Sequence, residues 1–290
     1  MPHCCSTRTD WSSVVRRQLQ STQDSLVALK DAPAASEALH DARVAIRRAE
    51  SMLRIARDLL ADRHVDWLRT RLRRLRRACN FARDNDVLRK WLKDRSSPTV
   101  DELRRSLKRE RRASQSRIVE LTHSLIRRHR LTHHAKQALQ GALHGGGSED
   151  KRPVVAVVAR RLLDELNQFV RALSTEATGS RQLHRLRIAG KRLRYGCEFV
   201  AEVIPDAGLD SLQQLLTQIQ DRLGKLHDAF VREKSLKAVA DREVRTTLLR
   251  DSADERDQLT KEWQRWWTLV LPASTIGSAT TRLIEMLQSP

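Results

Sequence analysis

The strongest constraint on this chain is that it repeats itself. Leu39-His40-x-x-Arg43-Val44-Ala45 recurs as Leu183-His184-x-x-Arg187-Ile188-Ala189, 144 residues on, and Arg47-Arg48 recurs as Lys191-Arg192. At the same spacing Leu68 and Leu72 match Leu212 and Leu216, and Arg83-Asp84 matches His227-Asp228. Val87 and Leu92 then match Val231 and Leu236. A gap-free match over about fifty residues, mixing apolar with polar identities, is more than shared helical composition produces. It implies two homologous halves related by a pseudo-twofold axis. The division falls in a glycine-rich linker, residues 141–152, between a half at 10–140 and a half at 153–290. Gly145-Gly146-Gly147 lies inside that linker and Pro153 closes it. Three consecutive glycines are costly to hold in a helix.

The halves read as helical. Glycine (10) and proline (7) are too scarce among 290 residues for the many turns of an all-β fold. Leu68, Leu72, Leu75, Cys79 and Ala82 recur at three and four residues, as one face of a helix requires. Leu209, Leu212, Leu215, Leu216, Ile219, Leu223 and Leu226 form the clearest stripe of the second half, and Leu103, Leu107, Ser114, Leu121 and Leu125 a weaker one in the first. Val154–Val158 is β-prone alone but leads into Arg160-Arg161-Leu162-Leu163, so it reads as a buried helix start. The expected fold is therefore all-α, with two pseudo-symmetric bundles of about four helices each. The longest apolar run, Val154–Ala159, falls far short of the roughly 20 residues that span a bilayer. The opening MPHCCSTRTD leads into no apolar segment of a secretory signal. A cytoplasmic protein with no membrane partner is expected. Cys4, Cys5, Cys79 and Cys197 show no CxxC spacing, so no zinc site or disulfide framework is indicated.

The formal charge is +19, and it is uneven. Residues 51–130 hold 24 Lys and Arg against 10 Asp and Glu, a balance that accounts for the whole excess of the first half. Such a field raises the local concentration of polyanions and speeds their capture. On the helix expected over 36–60, His40, Arg43, Arg47, Ser51 and Arg54 fall within one narrow stripe, with Arg48 beside it. His184, Arg187, Lys191, Arg194 and Tyr195 form the same stripe in the second half, with Arg192 beside them. Cations on adjacent turns stand about 5–6 Å apart, close to the reach between neighbouring phosphates. Arginine offers a fork of donors to phosphate oxygens, and lysine a point charge. Most charged stripes on helices are solvated faces, but this one occurs twice and few acids lie along it.

The next helix, expected over 65–95, carries Arg69, Arg73, Arg76, Arg77 and Arg83 down one side, rotated by roughly 100° from its apolar stripe. It can pack on a core while its arginines line a groove. Asp84 and Asp228 hold equivalent places, and a lone acid among so many cations is expected to orient an arginine rather than do chemistry. Arg105, Lys108, Arg109 and Arg112 are expected to extend the groove.

The two His-x-x-Arg helices resemble the hallmark of the CHAD family, the conserved-histidine α-helical domain. The resemblance rests on His40-Asp41-Ala42-Arg43-Val44-Ala45-Ile46-Arg47-Arg48 and on His184-Arg185-Leu186-Arg187-Ile188-Ala189-Gly190-Lys191-Arg192-Leu193-Arg194-Tyr195. Arg83-Asp84-x-Asp86-Val87 and Leu223-Gly224-Lys225-Leu226-His227-Asp228 resemble that family's second signature. The resemblance covers roughly residues 10–290 and implies two four-helix bundles around a basic groove or pore that binds inorganic polyphosphate. It also implies association with polyphosphate granules. Carried over by position, the anion-contacting set is His40, Arg43, Arg47 and Arg48 with His184, Arg187, Lys191, Arg192, Arg194 and Tyr195, and Arg83 and His227 belong to the second signature. The first-half positions matching Arg194 and Tyr195 are Glu50 and Ser51, where Arg54 is the nearest substitute. Many relatives carry an adjoining triphosphate-tunnel domain. The paired-Glu strand motif of such a domain is not found, so binding without catalysis is expected, with no cofactor and no metal.

Three other readings compete. Charge alone suits a nucleic-acid-binding protein, because phosphate neutralisation supplies most non-specific affinity. The basic stretches, however, lack interleaved aromatics for base stacking, and Trp263, Trp266 and Trp267 cluster elsewhere as expected core. A metal-dependent phosphohydrolase using the histidines would want carboxylate-rich metal sites, whereas these stripes are cationic. A scaffold without chemistry would show no anion affinity.

Overall fold

The computed structural model describes residues 10–143, 152–173, 179–270 and 273–288. It is all-helical, with no strand among the described residues. The first half holds α1 (Trp11–Asp31), α2 (Ser36–Ile55), α3 (Asp62–Trp91), α4 (Pro98–Ile126) and α5 (Arg130–Leu143). The second holds α6 (Arg152–Leu173), α7 (Ser180–Val203), α8 (Asp210–Leu236), α9 (Arg242–Val270) and α10 (Ala273–Gln288). Both ends of α9 stand 144 residues beyond the ends of α4, so helix boundaries keep the spacing of the sequence match. Of the expected linker, residues 144–151 lie outside the described residues, while Gly141 to Leu143 close α5 and Arg152 opens α6.

Among the described residues each half has five α-helices, where the sequence leads one to expect about four. The fifth escapes the periodicity because α4 and α5 are separated only by a short 3₁₀ turn, Arg127–His129. That turn kinks the chain through left-handed backbone at two non-glycine residues, Arg128 (φ 51°) and His129 (φ 53°). No glycine or proline marks it, so 104–130 reads as one helix. Elsewhere the punctuation acts as expected: Ser97 Oγ accepts from the Val100 amide and Pro98 occupies the first helical turn of α4.

Within the first half α2 and α3 pack on one another, with α1, α4 and α5 around them; α7 and α8 have the same relation to α6, α9 and α10. Between the halves α2 meets α7 and α3 meets α8, each a helix against its own counterpart. The contact of α2 with α6 has its mate in that of α7 with α1. A twofold arrangement requires this reciprocity. One continuous apolar core runs through both halves, from Leu19 and Leu26 of α1 through Ile46, Met52 and Leu72 to Phe169, Leu193, Leu216 and Leu223. A second cluster joins the far ends of α3 and α8 through Leu88, Leu92 and Leu236.

Gly196 of α7 is closely packed against α6 and α2. A Cβ there would come within 2.9 Å of Leu162 Cδ1 and 3.5 Å of Ile55 Cδ1, from α6 and α2. Gly196→Val is expected to lower stability by about 1–3 kcal/mol through overpacking, read as a lower midpoint in thermal unfolding followed by circular dichroism.

Candidate basic cleft between the halves

The apolar faces of α2 and α7 fix where their cations go. Leu39, Ala42, Ile46, Ala49 and Leu53 are buried within the first half, and Leu183, Leu186, Gly190, Leu193 and Cys197 within the second. The adjoining stripes therefore turn toward the junction of the halves. The two helices are stitched there by Ser51 Oγ donating to the Arg192 carbonyl at 3.0 Å, and by Arg48 on Glu198 at 2.9 Å. Beneath them α3 and α8 are tied by a fork: Arg83 Nη1 and Nη2 each donate to an Asp228 oxygen at 2.5 Å. The acid thus orients an arginine across the twofold.

The result is a cleft of about 540 Å³. Arg43, Arg47 and Arg54 of α2, Arg69, Arg73, Arg76, Arg77 and Arg83 of α3, and Arg187, Lys191 and Arg192 of α7 line it. Only Glu50 and Asp84 among the lining residues are acidic, so the cleft is strongly cationic. Several of these cations are already held. Arg76 donates to Glu50 at 2.6 Å, Arg54 pairs with the buried Glu165 at 2.5 Å, and Arg83 is tied to Asp228. Arg69, Arg73, Arg77, Arg187, Lys191 and Arg192 have no ion pair to a described residue. Arg43 and Arg47 share only the Asn80 Oδ1 acceptor, at 3.4 Å each.

Crowding shows in the protonation equilibria. Burial, then Arg47 and Arg83, pushes the Arg43 guanidinium down to about 10; burial, then Arg47, does the same to Arg187. Burial followed by Arg187, Arg47, Arg43 and Arg83 carries the Lys191 amine down to about 6. His227, stacked on His184 with ring centroids 5.1 Å apart, is held down to about 3 by burial, then Arg187 and His184. His184 is also lowered, by burial, then Arg187 and Lys191. Asp84 is raised, because burial outweighs the pull of Arg83 and Arg43.

Not every residue singled out in the sequence reaches the cleft. His184, Tyr195 and His227 line it, but His40 is exposed and lies outside. The position that would stack on His40, as His227 stacks on His184, is Arg83, and Arg83 is drawn to Asp228 instead. Arg48 and Arg194 also lie outside, both held by Glu198, at 2.9 and 3.1 Å. Arg54 lines the cleft, but with its charge spent on Glu165. Arg105 and Lys108 line a separate shallow hollow with Arg89, Lys93 and Arg104, while Arg109 and Arg112 line neither. Asn80 was not foreseen; a neutral amide gives no charge signal, though one turn from Arg76 and Arg77 its face is fixed. The tryptophan cluster is confined to α9, where Trp263 is buried and stacks on Trp267.

The family model described as the CHAD domain matches residues 13–237. Among solved structures the chain is similar to the CHAD domain from the plant Ricinus communis, at 20% identity and a TM-score of 0.61, over 94% of this chain and 90% of that one. It is also similar to PptA from Streptomyces chartreusis, at 16% identity and a TM-score of 0.60, over 89% of this chain and 98% of that one. No curated protein matches.

Two substitutions in the cleft should move stability in opposite directions. Asp228→Asn removes the fork that holds the half-buried Arg83 and leaves it only the looser pair with Asp84 at 3.6 Å, and is expected to cost about 1–2 kcal/mol. Lys191→Met removes an unpaired, half-buried amine from among cations and is expected to stabilise the empty protein by about 1–2 kcal/mol. Urea unfolding at pH 7 measures both.

Proposed function

The chain belongs to the CHAD domain family, and on that footing we propose that the cleft binds inorganic polyphosphate without turning it over. The observation that carries this is the convergence of Arg43, Arg47, Arg69, Arg73, Arg77, Arg187, Lys191 and Arg192 on one cleft whose lining holds only two acids, Glu50 and Asp84. Cations gathered at such cost to one another are an unfinished site that a polyanion completes. Guanidinium forks from α2 and α3 on one wall and α7 on the other offer bidentate contacts to successive phosphates. A linear polyanion suits the run from Arg69 through Arg73 and Arg77 along α3 better than a compact anion does. The cleft of the matching surface on α8 lacks this run: Gln213, Thr217 and Asp221 stand where α3 has Arg69, Arg73 and Arg77. The chain is therefore expected to leave the centre over α3.

Nucleic acid fits less well. Tyr195 is the only Phe, Trp or Tyr lining the cleft; it is 5% exposed and covered by the Arg194 guanidinium at 4.6 Å, so it offers no stacking face. Hydrolysis fits less well too. Among the described residues no three His, Cys, Asp or Glu side chains gather so as to hold a metal ion, and the lining acids are engaged with or surrounded by arginines. No helix among the described residues is long and apolar enough to cross a membrane. Association with polyphosphate granules would follow from the binding proposed here.

Polyphosphate binding is expected to weaken steeply with salt, with a log–log slope of about −0.7 per phosphate contact by analogy with single-stranded nucleic acid. Replacing Arg43, Arg47, Arg187 and Lys191 together by Ala should flatten that slope in a titration series, and a parent-like quadruple variant would place the site elsewhere. No orthophosphate should be released, with or without added divalent metal.

Binding should also take up a proton at Lys191. Its empty value is about 6, and a bound polyanion raises it. Below both values the amine is charged in either state and affinity is level. Between them the bound form holds the extra proton, so affinity falls as pH rises from 6 to 8. Lys191→Arg, charged throughout, should show a smaller pH dependence by calorimetry, with the residue owed to His184.

A further inference from the structure

Lys191 differs from every other cation of the cleft, because it alone can lose its proton near neutral pH and become a nucleophile. It is half-buried and lines the cleft, and no hydrogen bond or ion pair joins it to a described residue. The charged groups around it are mostly cations, with Asp84 of α3 also lining the cleft beside Arg43 and Arg83. Arg43 and Arg47 come from α2, Arg187 and His184 from its own helix, Arg83 from α3 and His227 from α8. With its value at about 6, about nine-tenths of the amine is free base at pH 7. A lysine desolvated beside other cations is a recognised setting for nucleophilic amines.

We propose that Lys191 is an acylation site, at which an acyl phosphate held by Arg43, Arg47 and Arg187 transfers its acyl group to Nζ. The arginines select the phosphate end, since a guanidinium fork matches its oxygens. They also steady the charge that collects on the leaving oxygen. The Nζ lone pair attacks the carbonyl carbon and forms the C–N bond. The bond from that carbon to the phosphate oxygen breaks, its electron pair leaves with orthophosphate, and the proton lost by nitrogen passes to water or to the phosphate. The product is a neutral amide that can no longer take up a proton beside a bound polyanion, so the hold of the cleft on polyanions weakens. A cleft already filled by a polyanion shields the amine. The proposal rests on the anion affinity inferred above. Lowering the amine's basicity also blunts it, so positioning by the arginines, rather than deprotonation alone, supplies the selectivity.

The test treats the full chain with acetyl phosphate at pH 7 and follows acetylation of each lysine by peptide mass spectrometry. Lys191 is expected to acetylate at least about tenfold faster than the exposed Lys90, Lys136 and Lys225. Excess tripolyphosphate should abolish that lead, and the uncharged donor p-nitrophenyl acetate should not reproduce it. A Lys191 that reacts no faster than the exposed lysines overturns the proposal. So does a lead that survives tripolyphosphate or appears equally with the neutral donor, because guidance by the arginines would then play no part. Calorimetry with tripolyphosphate on the same preparation separates the two readings. Binding without a Lys191 lead overturns the acylation alone, and no binding with no lead overturns both.

Discussion

Like charges are forced together around Lys191, and the rest of the molecule is organised to hold them there. Arg43 and Arg47 on one helix and Arg187 and Lys191 on its counterpart repel one another, and burial followed by this repulsion lowers the proton affinities of Arg43, Arg187 and Lys191. No local interaction would keep α2 and α7 face to face with these stripes aligned. What does so is the continuous apolar core behind each helix, which fixes their rotation. A buried leucine contributes on the order of 2 kcal/mol, so a few of them outweigh screened repulsion between cations. The cleft is thus a strained electrostatic feature sustained by ordinary packing elsewhere, the usual exchange of stability for function.

Acids are used sparingly, and each has a position. Asp228 anchors Arg83 across the twofold, Glu198 gathers Arg48 and Arg194 on the flank, Glu50 takes Arg76, and Glu165 takes Arg54. These pairs fasten helix to helix and remove from the site the arginines they hold. The cations left unpaired run along α3 and the centres of α2 and α7. The two halves share a plan but not a role. The first half brings the long arginine tract, and the second brings the titratable set of Lys191, His184 and His227.

That division bears on mechanism. A cleft made of arginines alone would be insensitive to pH and inert to acyl donors. On the readings proposed above, Lys191 would make occupancy depend on proton uptake and expose an amine to anionic electrophiles that the arginines attract. The same crowding produces both properties, because it lowers the cost of losing the proton.

The sequence by itself determined the helical class and the composition of the stripes. Periodicity at three and four residues reports one helix face without reference to any distant contact. It also marked Arg43, Arg47, Arg187 and Lys191, since a stripe beside an apolar face must point along the edge of that face. Tertiary structure alone decided which cations remain free. Arg48, Arg54, Arg76 and Arg194 look as available in sequence as Arg47, but their partners Glu198, Glu165 and Glu50 come from other helices or another turn. His40 and His184 are equivalent in sequence, yet only His184 has a ring to stack on, because the residue opposite is His227 in one half and Arg83 in the other. The fifth helix of the first half was hidden for a related reason. The kink at Arg127–His129 is made by backbone angles that leave no mark in residue type. Pairing, stacking and kinking depend on which groups meet in space, and spacing along a chain records only which groups share a face.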